Sequence, residues 1–297
     1  MDRTLVIAGP TLAAIALVLC GCSGSKAEPA LRIGSKNFTE QVVLGEIIAQ
    51  HLENRLHRKV ERNLNLGGTL LAHEALLKGQ IDLYPEYTGT ALVSVLKDSV
   101  NTDPAAVLAR VRSEYARRFQ VDWLEPLGID NGFAIVVRGQ DAREKNLSTL
   151  SDAAHVPGGW TLGVGYEFQQ RADGLAALDK VYGLHWNAAP KTMDLGLLYR
   201  AIDQNQVTMI AANATDGLLS KRDLKVLEDD RHAFPPYQVC ILARHDLLRG
   251  TSGLPEALMQ LSGKFTNQKM QELNYQVDGL HRPVRQVASD FLKQNNL

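Results

Sequence analysis

The chain carries no excess of either charge: 32 basic and 33 acidic side chains leave a formal net charge of −1, with no long run of one sign. The basic footprint that a phosphate backbone requires is missing, so no nucleic-acid partner is expected. The usual catalytic signatures are missing as well. There is no Gly-rich phosphate loop, no nucleophile elbow, and no CxxC or HExxH spacing. The eight histidines are scattered, and His51 and His73, on predicted helices, read as surface or capping residues rather than ligands. No catalytic residue, metal site or cofactor is therefore expected. Cysteine is scarce: beyond Cys20 and Cys22 only Cys240 remains, so the body of the chain has no internal disulfide. In the apolar run 239–242 Cys240 reads as a buried, inert thiol.

Long apolar runs are also few. Residues 5–19, interrupted by Pro10 and preceded by Arg3, form a stretch shorter than the roughly 20 residues of a spanning helix, and suit a signal peptide. Its end, Leu19-Cys20-Gly21-Cys22, resembles the lipobox of bacterial lipoproteins. That resemblance implies a signal peptide over 1–21, a diacylated Cys22 as mature N-terminus, and a lipid anchor on the periplasmic or cell-surface side of a membrane. Cys20 is the rival acceptor, although Leu19 before it is large for the usual cleavage site; a plain signal peptide or uncleaved anchor is the alternative. The small, polar residues 22–30 read as a flexible tether.

What remains is close to an average globular composition, 45% hydrophobic and 22% charged. Short β-like runs alternate with helix-like stretches, the pattern of an α/β protein. Strands are predicted over 31–34, 60–66, 81–84, 161–164 and 207–211. Helices are predicted over 69–78, 103–119, 169–182 and 195–202, and a further one follows Thr39, its plausible N-cap, with Val43, Leu44, Ile47, Ile48 and Leu52 at helical spacing. The loop 35–39 then faces a ligand from a helix N-terminus. Residues 79–84 and 205–210 resemble each other weakly, a hint of two related lobes. The apolar runs 133–137 and 239–242 read as hinge strands. Lobe 1 is thus expected over 31–135 plus 243–297, and lobe 2 over 136–242; the helical C-terminal part, with Leu258, Leu261 and Phe265 on one face, packs back onto lobe 1.

Aromatic and polar residues gather where strands end, the place at which α/β proteins bind ligands. Tyr84-Pro85-Glu86-Tyr87-Thr88-Gly89-Thr90 reads as a turn directly after a strand, its tyrosines serving either a ligand or rim packing. Together with residues 34–41, 167–174, 215–217, 227–230 and 234–237, this segment resembles the osmoprotectant-binding proteins of ATP-driven importers, the receptors for glycine betaine, choline and carnitine. The resemblance spans nearly the whole chain in order. It implies a type II periplasmic-binding fold of two α/β lobes joined by two hinge strands, with a ligand enclosed between them, an ABC permease and its ATPase as partners, and a monomer.

The resemblance also implies site positions. Tyr87 and Tyr237 match cage tyrosines and Thr90 a neighbouring threonine; Lys36, Glu167 and Arg171 match polar positions of the cleft, and Asn131 joins the expected ligand set. Phe133 and Asn213 stand where the family commonly carries aromatic residues, tyrosine at the first. Chemically, a trimethylammonium group has no hydrogen to donate and is held by aromatic faces. A betaine carboxylate wants charge-assisted donors, for which Arg171 offers a planar fork, with Lys36 and the Thr90 hydroxyl beside it. The alternative for Arg171 is an i, i+4 pair with Glu167. Asn213 opens the cage and admits a more polar solute, so a receptor for ergothioneine, a polar amine or an amino acid is the rival, and an enzyme or sensor on the same fold is a further one.

Overall fold

The computed structural model describes residues 1–2 and 29–297. Most of the expected signal peptide, Cys20, Cys22 and most of the expected tether lie outside them. Among the described residues ten strands form two five-stranded sheets, β2-β1-β3-β10-β4 and β7-β6-β8-β5-β9. The first contains β1 (Leu31–Gly34), β2 (Val60–Asn63), β3 (Leu83–Tyr87), β4 (Val121–Trp123) and β10 (Val239–Arg244). The second contains β5 (Phe133–Arg138), β6 (Leu162–Val164), β7 (Lys191–Thr192), β8 (Met209–Asn213) and β9 (Leu224–Leu227).

In each sheet the first three strands pair in parallel and the fourth, β10 or β5, runs antiparallel to both of its neighbours. The turns that lead into β3 and β8 share one hydrogen-bond pattern. The Gln80 and Ile81 amides both donate to the Ala75 carbonyl, as those of Gln206 and Val207 do to that of Ala201. Gly79 and Asn205 take the left-handed conformation at the same place, φ +64° and +56°. The weak likeness of 79–84 and 205–210 thus marks equivalent turns of two lobes with one topology.

Both sheets are covered on both faces, which is why their central strands read as unbroken apolar runs. Along β10, Val239, Ile241 and Ala243 enter one core with helix α1 (Thr39–Leu56) and the C-terminal helices, whereas Cys240 and Leu242 enter the opposite core. β5 alternates likewise, Ile135 and Val137 on one side, Ala134 and Val136 on the other. Burial pushes the Cys240 thiol up to about 12, as an inert core cysteine requires.

Several local expectations change. The runs 133–137 and 239–242 are interior strands, each confined to a single sheet; the chain passes between lobes through residues 124–132 and 228–238, which touch at the Asp130↔Gln238 bridge. Phe38, not Thr39, is the N-cap residue of α1, and the Thr39 hydroxyl donates instead to Asp278 at 2.7 Å. Segment 84–87 is strand rather than turn. β1 runs beside β3 only at Ile33↔Leu83, so beyond that point β3 is paired on the β10 side alone, an edge situation in which Pro85 is tolerated. The expected helix 169–182 is two, Tyr166–Gln170 and Leu175–Tyr182, broken where Arg171 turns to extended backbone. His51 and His73 are core residues, 0% and 5% exposed. His51 Nε2 lies 2.8 Å from the Ala257 carbonyl, and His73 packs edge-on against Tyr115 and Phe119.

Candidate functional site

A cavity of about 280 Å³ lies between the lobes. All nine residues singled out from the sequence line it: Lys36, Tyr87, Thr90, Asn131, Phe133, Glu167, Arg171, Asn213 and Tyr237. Lobe 1 contributes the β1–α1 loop and the end of β3. Lobe 2 contributes the start of β5, the end of β8 and the helix Tyr166–Gln170. Rings that sequence reasoning missed complete the wall: Phe38, Tyr166 and Phe168. Phe38 stacks on Tyr87 with centroids 6.1 Å apart, and Phe133 meets Phe168, Phe234 and Tyr237 edge to face at 4.8–5.6 Å.

The cations of the cleft are already engaged. Lys36 is buried; its ammonium donates to Glu86 Oε1 at 2.6 Å and lies 4.4 Å from the centre of the Tyr87 ring. Arg171 uses the edge of its guanidinium, Nε and Nη2, to grip the fully buried carboxylate of Asp173, so the fork expected to meet a ligand is turned inward. Its Nη1 makes no hydrogen bond among the described residues and lies 3.5 Å from Glu167 Oε2, so the i, i+4 pair is present too. The guanidinium also sits 5.1 Å from the Phe133 ring and 5.7 Å from that of Tyr237. One face of each of Tyr87, Phe133 and Tyr237 is thereby polarised by a protein cation.

Behind the rings runs a buried acidic layer. Tyr237 donates to Asp173 Oδ2 at 2.8 Å. Glu40 accepts from the Tyr87 hydroxyl at 2.6 Å, from Asn131 Nδ2 at 2.9 Å and from the Thr215 hydroxyl. Asn131 is thus spent inside the protein, since its Oδ1 also accepts the Thr215 amide. The side chains of Thr90 and Asn213, in contrast, make no hydrogen bond among the described residues and are open to a solute. Gly217 is obligatory in this seam, because a Cβ would overlap the Tyr275 backbone of the helix Asn267–Asp278.

Burial raises the pKa of Glu40, though its three donors work against the rise. It pushes Asp216 up to about 6, with the Asn213 amide and the Tyr199 hydroxyl opposing. A folded-state pKa above the ordinary value means that stability is complete below about pH 4 and is lost as pH rises through 6. Asp216→Asn keeps an acceptor for Tyr199 and removes the charge. The variant is expected to melt higher than the parent at pH 7.5, by an amount equivalent to about 1–2 kcal/mol, and to match it below pH 4. Thermal melts across pH 4–8 read this directly, and an equal offset at every pH would refute it.

An aromatic-walled cavity enclosed by two α/β lobes is the arrangement of a solute-binding protein of the periplasmic type. Residues 29–294 match the family described as the substrate binding domain of ABC-type glycine betaine transport system, and the chain belongs to that family of non-enzymatic transport proteins. It is 34% identical over 286 residues to the carnitine transport binding protein OpuCC of Listeria monocytogenes, covering 94% of this chain and 92% of that protein. It is 32% identical over 271 residues to the ergothioneine transport permease/ergothioneine binding protein EgtU of Helicobacter pylori, covering 91% of this chain and 48% of that protein. A solved structure described as a glycine betaine/carnitine/choline ABC transporter superimposes with a TM-score of 0.76 at 29% identity, covering 90% of this chain and 98% of the other.

Proposed function

We propose that the protein captures a small quaternary-ammonium osmoprotectant of the glycine betaine or carnitine kind in the inter-lobe cavity and delivers it to an ABC importer. The observation that carries this reading is the cavity wall itself. Aromatic faces suit a trimethylammonium group that cannot donate a hydrogen bond. Arg171 Nη1 and the Thr90 hydroxyl are the free donors for a carboxylate. Lobe 1 and lobe 2, as expected over 31–135 plus 243–297 and 136–242 with the crossings adjusted above, close by bending at those crossings. Lipid attachment at Cys22 holds the receptor at the membrane; mass spectrometry of detergent-extracted protein tests it, and an unmodified Cys22 would refute it.

A second reading is favoured by one observation. The Asn213 amide lines the cavity without a hydrogen-bond partner among the described residues, and it suits a solute with additional polar atoms, such as ergothioneine. Thermal-shift assays with glycine betaine, L-carnitine, choline and ergothioneine separate these. At a hundredfold excess over Kd the true ligand adds about 2.7 kcal/mol and is expected to raise Tm by roughly 5 °C or more. No shift with any of the four would refute both readings.

A further inference from the structure

Helix α2 (Thr69–Leu77) begins without a cap of its own. Its N-cap residue is Gly68, which has no side chain to accept the amides of the first turn. The cap comes from the other lobe. Glu167, on the helix Tyr166–Gln170 of lobe 2, accepts the Thr69 amide on Oε1 at 3.0 Å and the Thr69 hydroxyl on Oε2 at 3.2 Å. A carboxylate is favoured there twice, by the positive end of the α2 dipole and by the unpaired amide. Gly68 makes room for it, since a Cβ at that position would overlap Glu167 Oε1.

The location gives this contact its meaning. Among the described residues, the other direct hydrogen bonds between lobes are those of the Thr215 hydroxyl to Glu40, of Gln271 and Asn274 to the Ala214 and Thr215 carbonyls, and of the Tyr237 hydroxyl, on the second crossing segment, to Asp173. Those residues adjoin the crossing segments, through the bonds of Ala214 to Gly132 and of Thr215 to Asn131, and so stay together when the lobes bend apart. The Glu167–Thr69 pair joins a helix of each lobe across the cavity, and opening must break it.

We propose that Glu167 is a closure latch rather than a ligand contact: lobe 2 supplies the missing N-cap of α2 only when the cleft is shut, so closing completes a helix that is otherwise left uncapped. The latch rests on the solute-binding reading and sets how long a solute stays enclosed. Dissociation, rather than encounter, is the step it controls.

Two variants reach it from opposite sides. Glu167→Ala removes the cap, and Gly68→Ala displaces the carboxylate while leaving Glu167 intact and the helix backbone unstrained, because Gly68 has φ −77°. Both are expected to speed glycine betaine or L-carnitine release in stopped-flow measurements about tenfold, the loss of one charge-assisted hydrogen bond. Glu167→Gln, which keeps an acceptor without the charge, should speed it less. An unchanged release rate in both alanine variants would overturn the latch. If the parent protein binds neither solute, nor choline, the functional reading fails instead. The latch is then judged by X-ray scattering of the ligand-free proteins, where it requires a larger radius of gyration in both variants and is overturned if all three coincide.

Discussion

Arg171→Ala is expected to lose about a hundredfold in glycine betaine affinity and to melt several degrees lower than the parent, two losses with separate causes. The stability loss comes from Asp173. That carboxylate is fully buried and is held by the Arg171 edge and by the Tyr237 hydroxyl. Deleting the guanidinium leaves a buried charge with a single neutral donor, a change that costs about 3–5 kcal/mol. The affinity loss comes from Nη1, the free corner of the guanidinium, and from the attraction of a full positive charge for a carboxylate in an enclosed site, about 3 kcal/mol together.

Choline, which has no carboxylate, separates the two effects. Its affinity is expected to fall much less than that of glycine betaine in the same variant. Asp173→Asn provides the complementary control, since it weakens the buried pair yet leaves the cation in the cavity wall; it should destabilise while preserving carboxylate binding. Calorimetric titration of both solutes against both variants decides the matter. Glycine betaine affinity within twofold of the parent in Arg171→Ala would remove Arg171 from the site, and an unchanged melting temperature would refute the account of the buried pair.

Much of this arrangement was readable from the residues, and the failures are instructive. Strand β1 and the helices at Thr69 and Pro104 stand almost where the local sequence pattern puts them, because each is a local pattern bounded by loop residues. The candidate residues meet in one cavity because most lie at strand ends: Tyr87 and Asn213 close β3 and β8, Phe133 opens β5, and Asn131 and Tyr237 stand just before β5 and β10. What escaped was long-range. Nothing near Pro85 says that β1 leaves β3 after Leu83, and nothing near Phe133 says which sheet its strand joins. The histidines were misread for the same reason. His51 is buried by the C-terminal helices, some 200 residues away, and His73 by a helix around Tyr115. The partners of the cations were hidden too. Asp173 is only two residues from Arg171, yet the extended break that swings the guanidinium onto it interrupts what reads as one helix. The cross-lobe cap of α2 pairs residues 98 positions apart, and the only local signal for it was the missing capping side chain at Gly68.

Tyr87→Ala is expected to abolish detectable binding of the same solutes, a loss of more than a hundredfold, and Tyr87→Phe to retain it within about threefold. The ring is the part that faces the cavity, and it also organises its neighbours. Phe38 stacks on it and the Lys36 ammonium rests over it. Removing a buried aromatic side chain costs about 3–5 kcal/mol in stability as well, so binding is compared at a temperature where the alanine variant is still folded. The phenylalanine variant isolates the hydroxyl, whose role is internal: it donates to Glu40 at 2.6 Å. Burial already raises the Glu40 pKa, and the loss of one of its three donors raises it further. A group with a raised folded-state pKa stabilises the protein fully at low pH and loses that contribution as pH rises through the folded value. Tyr87→Phe should therefore fall further behind the parent at pH 8 than at pH 4, because rising pH drives the orphaned Glu40 toward its charged form and low pH relieves it. Parallel stability profiles of Tyr87→Phe and the parent across that range would show that the hydroxyl does not serve Glu40. Solute affinity in Tyr87→Ala within tenfold of the parent would show that the ring does not serve the ligand.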